Sequence, residues 1–165
     1  MTVERNFLPT SDFRIVFGPT NLLRTLDVYA LTASVPSVSL GEVSTPYRNN
    51  QGFVPGETLT FDTLNVDFLC DEKMELYEDI YNWMYTNTNT SYPDPGIEVT
   101  DIRLMVLNSH QNLSREILFI NAFPTSLSGI ELNVQNTDAM PAKLSVTFRY
   151  DKFSLVSPGV GGCTS

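Results

Sequence analysis

Glu57-Thr58-Leu59-Thr60-Phe61-Asp62-Thr63-Leu64-Asn65-Val66-Asp67-Phe68 alternates apolar and polar side chains along twelve residues, but its apolar members change parity midway. Leu59 and Phe61 fall on odd positions, whereas Leu64, Val66 and Phe68 fall on even ones. A period of two is the signature of a strand with one buried face. A one-residue slip sends every later side chain to the opposite face, so the change of phase predicts a bulge or bend near Asp62-Thr63.

The same alternation recurs on both sides of this stretch. Upstream, Phe13, Ile15 and Phe17 alternate until Gly18-Pro19, and Tyr29, Leu31, Ala33 and Val35 repeat the pattern until Pro36. Downstream, Ile102, Leu104 and Val106 open a second block of strands. Residues 117–123 are apolar on both faces, as expected of a strand that is central or covered twice. Leu144, Val146, Phe148 and Tyr150 alternate with Lys143, Ser145, Thr147 and Arg149, and the phase shifts to Phe153 and Leu155 before Pro158. The stretches Asn6 to Ser11 and Pro46 to Pro55 read as irregular, the latter as a long loop, and the Gly-rich tail over about 157–165 reads as flexible.

One helix interrupts the strands. From Glu72 to Tyr85, Leu76, Ile80 and Met84 recur at i, i+4 and i+8, with Tyr77, Tyr81 and Trp83 widening the apolar face. Asp71 is the expected N-cap, and Glu72 and Glu75 sit where the helix dipole favours anions. The expected fold is therefore a single domain over 1–165, mainly β with one α-helix, arranged as a sandwich or small barrel. Long strands in such a domain leave edges that must be blunted, covered or paired with another copy.

Composition narrows the function. The chain has 165 residues and a formal net charge of −9, from 19 acidic and 10 basic residues. Nucleic acid gripped by a basic face is disfavoured by that field. No apolar run is long enough to span a bilayer, and the N-terminus lacks the order of a signal peptide, so a soluble protein without membrane binding is expected. Cys70 and Cys163 do not make a disulfide scaffold and are expected to be unpaired. His110, the sole histidine, lies in a polar turn, and with two distant cysteines it matches no common zinc pattern. The run Asp71, Glu72, Glu75, Glu78 and Asp79 reads as a solvated face with dipole complementarity rather than as an acid/base or cation site. No phosphate-cradling glycine spacing appears. Catalysis, cofactors and metals therefore have no positive signal. The helix aromatics lack the interleaved cations of a base-stacking platform, with Lys73 the only basic residue nearby, and read as core packing or an interface anchor.

The ordered set of pieces resembles a known family. Ala33 through Glu42, the turn Pro55-Gly56-Glu57 leading into Leu59, Phe61, Leu64, Val66 and Phe68, Asp71-Glu72 opening a helix through Ile80-Tyr81-Asn82-Trp83-Met84, and a closing strand with Val146, Phe148, Tyr150, Asp151 and Phe153 are together similar to the tail tube proteins of contractile-tailed bacteriophages. The resemblance runs from about Asp12 to Val156. It implies a homohexameric ring whose subunits give strands to a continuous β-barrel channel, with rings stacked head to tail inside a contractile sheath in the virion after assembly in the host cytoplasm. The implied partners are other copies of the chain, the sheath protein, baseplate or tube-initiator and tail terminator proteins, and tape measure protein and DNA in the lumen without sequence-specific binding.

Residue roles implied by the resemblance are channel-facing Thr58, Thr60, Asn65, Asp67, Ser145, Thr147 and Arg149; helix packing by Leu76, Tyr77, Ile80, Trp83 and Met84; and ring stacking by the loop residues Tyr47, Arg48, Asn49, Asn50, Gln51 and Phe53, together with the N-terminal segment. Six copies of −9 make about −54 per ring, and part of that charge is expected to line the lumen and repel DNA phosphates. The same domain occurs in tube initiators and baseplate hubs and in the tubes of type VI secretion and extracellular contractile injection particles. The length favours the repeating subunit over a longer initiator. Outside this class, a monomeric β-sandwich that binds a small ligand is the alternative, and an enzyme ranks behind it.

Overall fold

A computed structural model describes residues 12–18, 30–47, 50–89, 97–132 and 141–157. The strands are β1 (Phe13–Phe17), β2 (Ala30–Ser34), β3 (Val38–Tyr47), β4 (Asn50–Phe61), β5 (Leu64–Leu69), β6 (Thr100–Leu107), β7 (Leu113–Leu127), β8 (Lys143–Arg149) and β9 (Lys152–Val156), with helix α1 (Glu75–Asn89) between β5 and β6. Seven strands form one antiparallel sheet in the order β1-β6-β7-β8-β5-β2, with β9 beside β7, and β3 and β4 form a separate two-stranded ribbon. Among the described residues the sheet is open: β1 and β2 end the hydrogen-bonded path, and it does not close on itself.

β7 folds this sheet into two layers. Its first part lies between β6 and β9, and its last residues pair with β8. The bend begins at Asn121, whose backbone takes a positive φ of 55°. This costs a side chain energy unless its surroundings hold it. Here Asp101 Oδ1 accepts the Asn121 N–H at 3.2 Å, and the Asn121 amide donates to Asp151 Oδ2 at 2.7 Å. The buried positions accordingly move from Ile117 and Phe119 to Ala122 and Pro124.

The core fills the space between the layers. Phe17 on β1 packs on Phe68 of β5 and Phe148 of β8, with ring centroids 6.5 and 5.8 Å apart. Helix α1 adds Leu76, Ile80 and Trp83, all buried, while Tyr77 and Met84 are half-buried against the same cluster. Trp83 lies 6.2 Å from Phe148, and its indole N–H donates to the Glu98 carbonyl at 2.8 Å, satisfying the one polar atom that burial would strand. Asn87 clasps the same residue from the helix's last turns, accepting the Glu98 N–H and donating to its carbonyl.

Several sequence expectations are corrected. The stretch Pro46 to Pro55 is not an irregular loop: it is the distal part of the β3–β4 hairpin, in which Pro46 faces Gln51 and Glu42 faces Pro55. The helix starts at Glu75 rather than Glu72, and Asp71 is not its N-cap. The Asp71 carbonyl instead accepts the Met74 N–H in a turn, and the Met74 carbonyl accepts the N–H of Glu78 at the start of the helix. In β2, Leu31 does not share an inward face with Ala33, because a register shift between Ala30 and Thr32 leaves Leu31 at the irregularity and exposed. Val35, Leu59 and Leu155, expected inward by alternation, are exposed as well. The break at Asp62-Thr63 stands where the change of phase placed it, between β4 and β5. Cys70 is a free thiol, Cys163 lies outside the described residues, and so do residues 158–165 of the tail and the segment Asn6 to Ser11.

Phe148, fully buried between Phe17 and Trp83, is the residue through which both layers and the helix meet. Phe148→Ala should cost about 3–5 kcal/mol, read as a lower urea midpoint at unchanged slope.

Candidate functional surfaces: a polar sheet face and a projecting arm

β2 pairs β5 and β3 pairs β4, so these four strands make one long antiparallel ribbon interrupted by a joint. The register is the same on both sides: Ser34 faces Asn65 below the joint, and Val38 faces Phe61 above it, four residues further along each strand. The lower half belongs to the seven-stranded sheet, and the upper half leaves the body as an arm.

Asp62 holds the joint. Its N–H donates to the Ser37 carbonyl at 3.1 Å, its carboxylate accepts from the Ser37 hydroxyl at 3.2 Å and from the Thr63 N–H at 2.8 Å, and its carbonyl accepts from the Tyr150 hydroxyl at 2.7 Å. Tyr150 is itself buried and packs against Phe61, Phe119 and Phe153. Its phenol is pushed above its ordinary range by burial, with the nearby Asp62 charge adding to the shift and Arg149 opposing it.

The arm's residues beyond the joint are almost all exposed, large apolar ones included. Tyr47 is 79% exposed and Phe53 62%, with Leu40, Val43, Val54 and Leu59 each about half in solvent. A two-stranded ribbon is at best marginally stable alone, and large apolar side chains left in solvent along such an element mark a contact site. Midway, the strands cross so closely that a Cβ on Gly56 would lie 2.7 Å from the Gly41 carbonyl oxygen, at the register shift between Leu40 and Glu42. Of the proposed stacking residues, Tyr47, Asn50, Gln51 and Phe53 sit at the arm's far end, and Arg48 and Asn49 lie outside the described residues.

Below the joint, the side of β5 and β8 that faces away from the core brings together Asn65, Asp67, Ser145, Thr147 and Arg149, because Leu64, Val66, Phe68, Leu144, Val146 and Phe148 between them are all buried. Thr58 and Thr60 are not part of this face but lie on the arm. Hydroxyls cross-link the strands here. Asp67 accepts from Thr32 on β2 at 2.6 Å and from Ser145 on β8 at 2.5 Å, and Asn65 accepts from Thr147 at 2.8 Å. Thr125 on β7 donates to the Thr147 carbonyl at 3.1 Å. The Ser145 bond, then that of Thr32, holds the Asp67 carboxyl below its ordinary value; burial opposes them, and Lys143 adds a favourable charge.

This face is not where the acidity lies. Its charged members are Asp67 against Lys143 and Arg149, whereas Asp71, Glu72, Glu75, Glu78 and Asp79 crowd the start of the helix. His110 is exposed in the β6–β7 turn, its N–H donating to Asn108 Oδ1. Among the described residues, no group of three or more His, Cys, Asp or Glu is placed to hold a metal ion. Nor is any helix among them long and apolar enough to cross a membrane. A cleft of about 590 Å³ beside the β5–α1 turn is lined by Cys70, Asp71, Met74, Ile130, Leu132 and Ala142, among others. Burial raises the Cys70 thiol there, with Asp71 adding to the shift, the opposite of the depression that activates a cysteine.

Residues 9–156 match the family model described as phage tail tube protein. The chain belongs to that family. Its curated relatives include the tail tube terminator protein of Enterobacteria phage T4, 24% identical over 158 residues that cover 91% of this chain and 89% of that protein. Among solved structures, a chain of the anti-feeding prophage baseplate, a six-fold symmetrised structure, superposes with a TM-score of 0.73 at 12% identity, covering 94% of this chain and 99% of that one. A chain from the sheath/tube terminator of an extracellular contractile injection system, in its extended state, gives 0.67 at 20% identity, covering 94% and 100%. At these identities the superpositions establish the fold. The family makes this chain a tail-tube-like structural protein.

Replacing Asp67 by Asn tests the hydroxyl ladder. A carboxyl depressed on folding stabilises the protein above its unfolded pKa, about 3.9, and loses that contribution as pH falls through the folded value. The stability difference between the protein and its D67N variant should be fully present at pH 7 and shrink as the pH falls below the unfolded value, measured by urea unfolding across that range.

Proposed function

We propose that this chain is a structural subunit that builds homohexameric rings of a contractile-system tail tube, with the polar face of β2, β5, β8 and the end of β7 turned toward the channel. The observation that carries this reading is the combination of an open sheet with an arm whose apolar side chains have no cover within the described chain. Neighbouring copies supply what one copy lacks: sheet edges pair across subunits into a continuous barrel, and the arm lies on an adjacent subunit. The six-fold symmetry named for the baseplate neighbour supports a ring of six. The arm's end, from Tyr47 through Phe53, is the contact with the next ring.

Thr58 and Thr60 keep a channel-facing role in this reading only if the arm curls over the ring's mouth. The lumen is lined mainly by neutral hydroxyl and amide groups, with Lys143 and Arg149 slightly outweighing Asp67. DNA or a tape measure protein slides past a surface whose hydrogen-bonding groups are already engaged with one another, rather than past a repelling acidic wall. The acidic charge faces outward, toward the sheath.

Two positions in the tube fit this architecture. The repeating subunit is the position expected from the sequence resemblance, as against a tube initiator. The terminal ring is a second reading, which the match to the T4 tail tube terminator favours over most of both chains. A repeating subunit stacks without limit, whereas a terminal ring stops the stack.

Negative-stain microscopy of the purified full-length protein tests both. Rings with a central pore support the ring reading; long tubes assign the repeating position, and discrete rings that cap tube ends when mixed with the cognate tube protein assign the terminal one. Phe53→Asp should leave rings and remove stacking. A chain that stays monomeric at high concentration contradicts the whole reading.

A further inference from the structure

The outward side of α1 has chemistry that core packing does not explain. Leu76, Ile80 and Trp83 turn inward, so Glu75, Glu78, Tyr81, Asn82 and Tyr85 form the opposite side of the helix, and all five are exposed. Tyr81 and Tyr85, one turn apart, are more than half in solvent yet lie nearly parallel, with centroids 6.2 Å apart and an interplanar angle of 19°. The helix contains no basic residue. Lys73, the basic residue just before it in sequence, pairs with Glu75 at 3.7 Å, and among the described residues no Lys or Arg pairs with Glu78 or Asp79. A stacked aromatic pair beside unpaired carboxylates attracts a planar cation through both the ring faces and the charge.

We propose that this side of α1 is a docking surface for an arginine-bearing segment of another protein, whose guanidinium groups lie on Tyr81 and Tyr85 while Glu78 takes a further cation. Charge complementarity selects the occupant. A nucleic acid is repelled by the same carboxylates, and a purely apolar helix leaves them without partners. Arginine is favoured over lysine because its flat, weakly hydrated cation stacks on a ring face as the compact ammonium does not. This goes beyond the ring reading and does not depend on it, since it is argued from side chains exposed in a single copy.

The test uses the full-length protein and a fluorescent eight-residue peptide alternating arginine and serine, with a lysine–serine peptide for comparison, read by anisotropy at low salt. The arginine peptide should bind at least threefold more tightly than the lysine one. The double variant Y81A/Y85A leaves the net charge unchanged and should weaken binding about fivefold or more, while Y81F/Y85F, which keeps the rings, should retain it. E78Q should weaken binding more than E42Q, which removes the same charge from the arm. Thermal melts that match the unmodified protein establish that the variants fold, as expected for exposed sites. Equal binding by the unmodified protein and Y81A/Y85A overturns the proposal, as does an equal loss from E42Q and E78Q, which reports only the overall charge. Neither result bears on whether the protein forms rings.

Discussion

One antiparallel ribbon, running in a single register through the joint at Asp62, belongs half to a packed sheet and half to open solvent. Below the joint, Val66 and Phe68 are sealed in the core, and above it Leu40, Val43 and Phe53 are bare. The hydrogen bonds that Asp62 makes to Ser37, Thr63 and Tyr150 keep the two halves connected while letting their apolar sides point to different surroundings. Burial in the lower half anchors an upper half that gains no burial of its own. That division requires something outside the described chain to cover the arm.

The part of this that was legible in sequence is the change of parity between Phe61 and Leu64. A strict period of two leaves no way to move from odd to even positions without a break, and the break is there. The hairpin beyond it was hidden by its punctuation. Pro46, Gly52, Pro55 and Gly56 are loop signals in most contexts, but a ribbon of two strands has an outer edge on each, where a proline costs no ladder bond. The pairing of Val43 with Val54 and of Leu40 with Leu59 was available in the sequence as two β-branched or apolar runs around a short polar turn. The helix boundary was displaced for a local reason: Asp71 is used in a turn that ends at Met74, which leaves Glu75 as the first helical residue. Leu31 and Asn121 mark two further places where an irregular residue redirected a face, and nothing in a bare alternation identifies which residue will be the extra one.

The polar face was readable to the extent that periodicity fixes it. Asn65, Asp67, Ser145, Thr147 and Arg149 share a side because the residues between them are core. Their mutual hydrogen bonds, and the participation of Thr32 and Thr125, depend on which strands become neighbours, a long-range fact that no local pattern carries. The distribution of charge likewise follows from topology. A net −9 invites the expectation of an acidic channel, and five of the 19 acidic residues cluster at the start of α1 rather than on the hydroxyl ladder. Net charge describes the whole molecule, and only the fold assigns it to a surface.

The central claim is that the arm is completed by another copy. Hydrogen–deuterium exchange of the full-length protein, followed from dilute to concentrated conditions, tests it most directly. The account predicts that backbone amides of 38–61 exchange rapidly when dilute and gain protection of tenfold or more on assembly, while those of β5 and β8 change little. Arm amides that are equally protected at every concentration, with no change in solution mass, would contradict it.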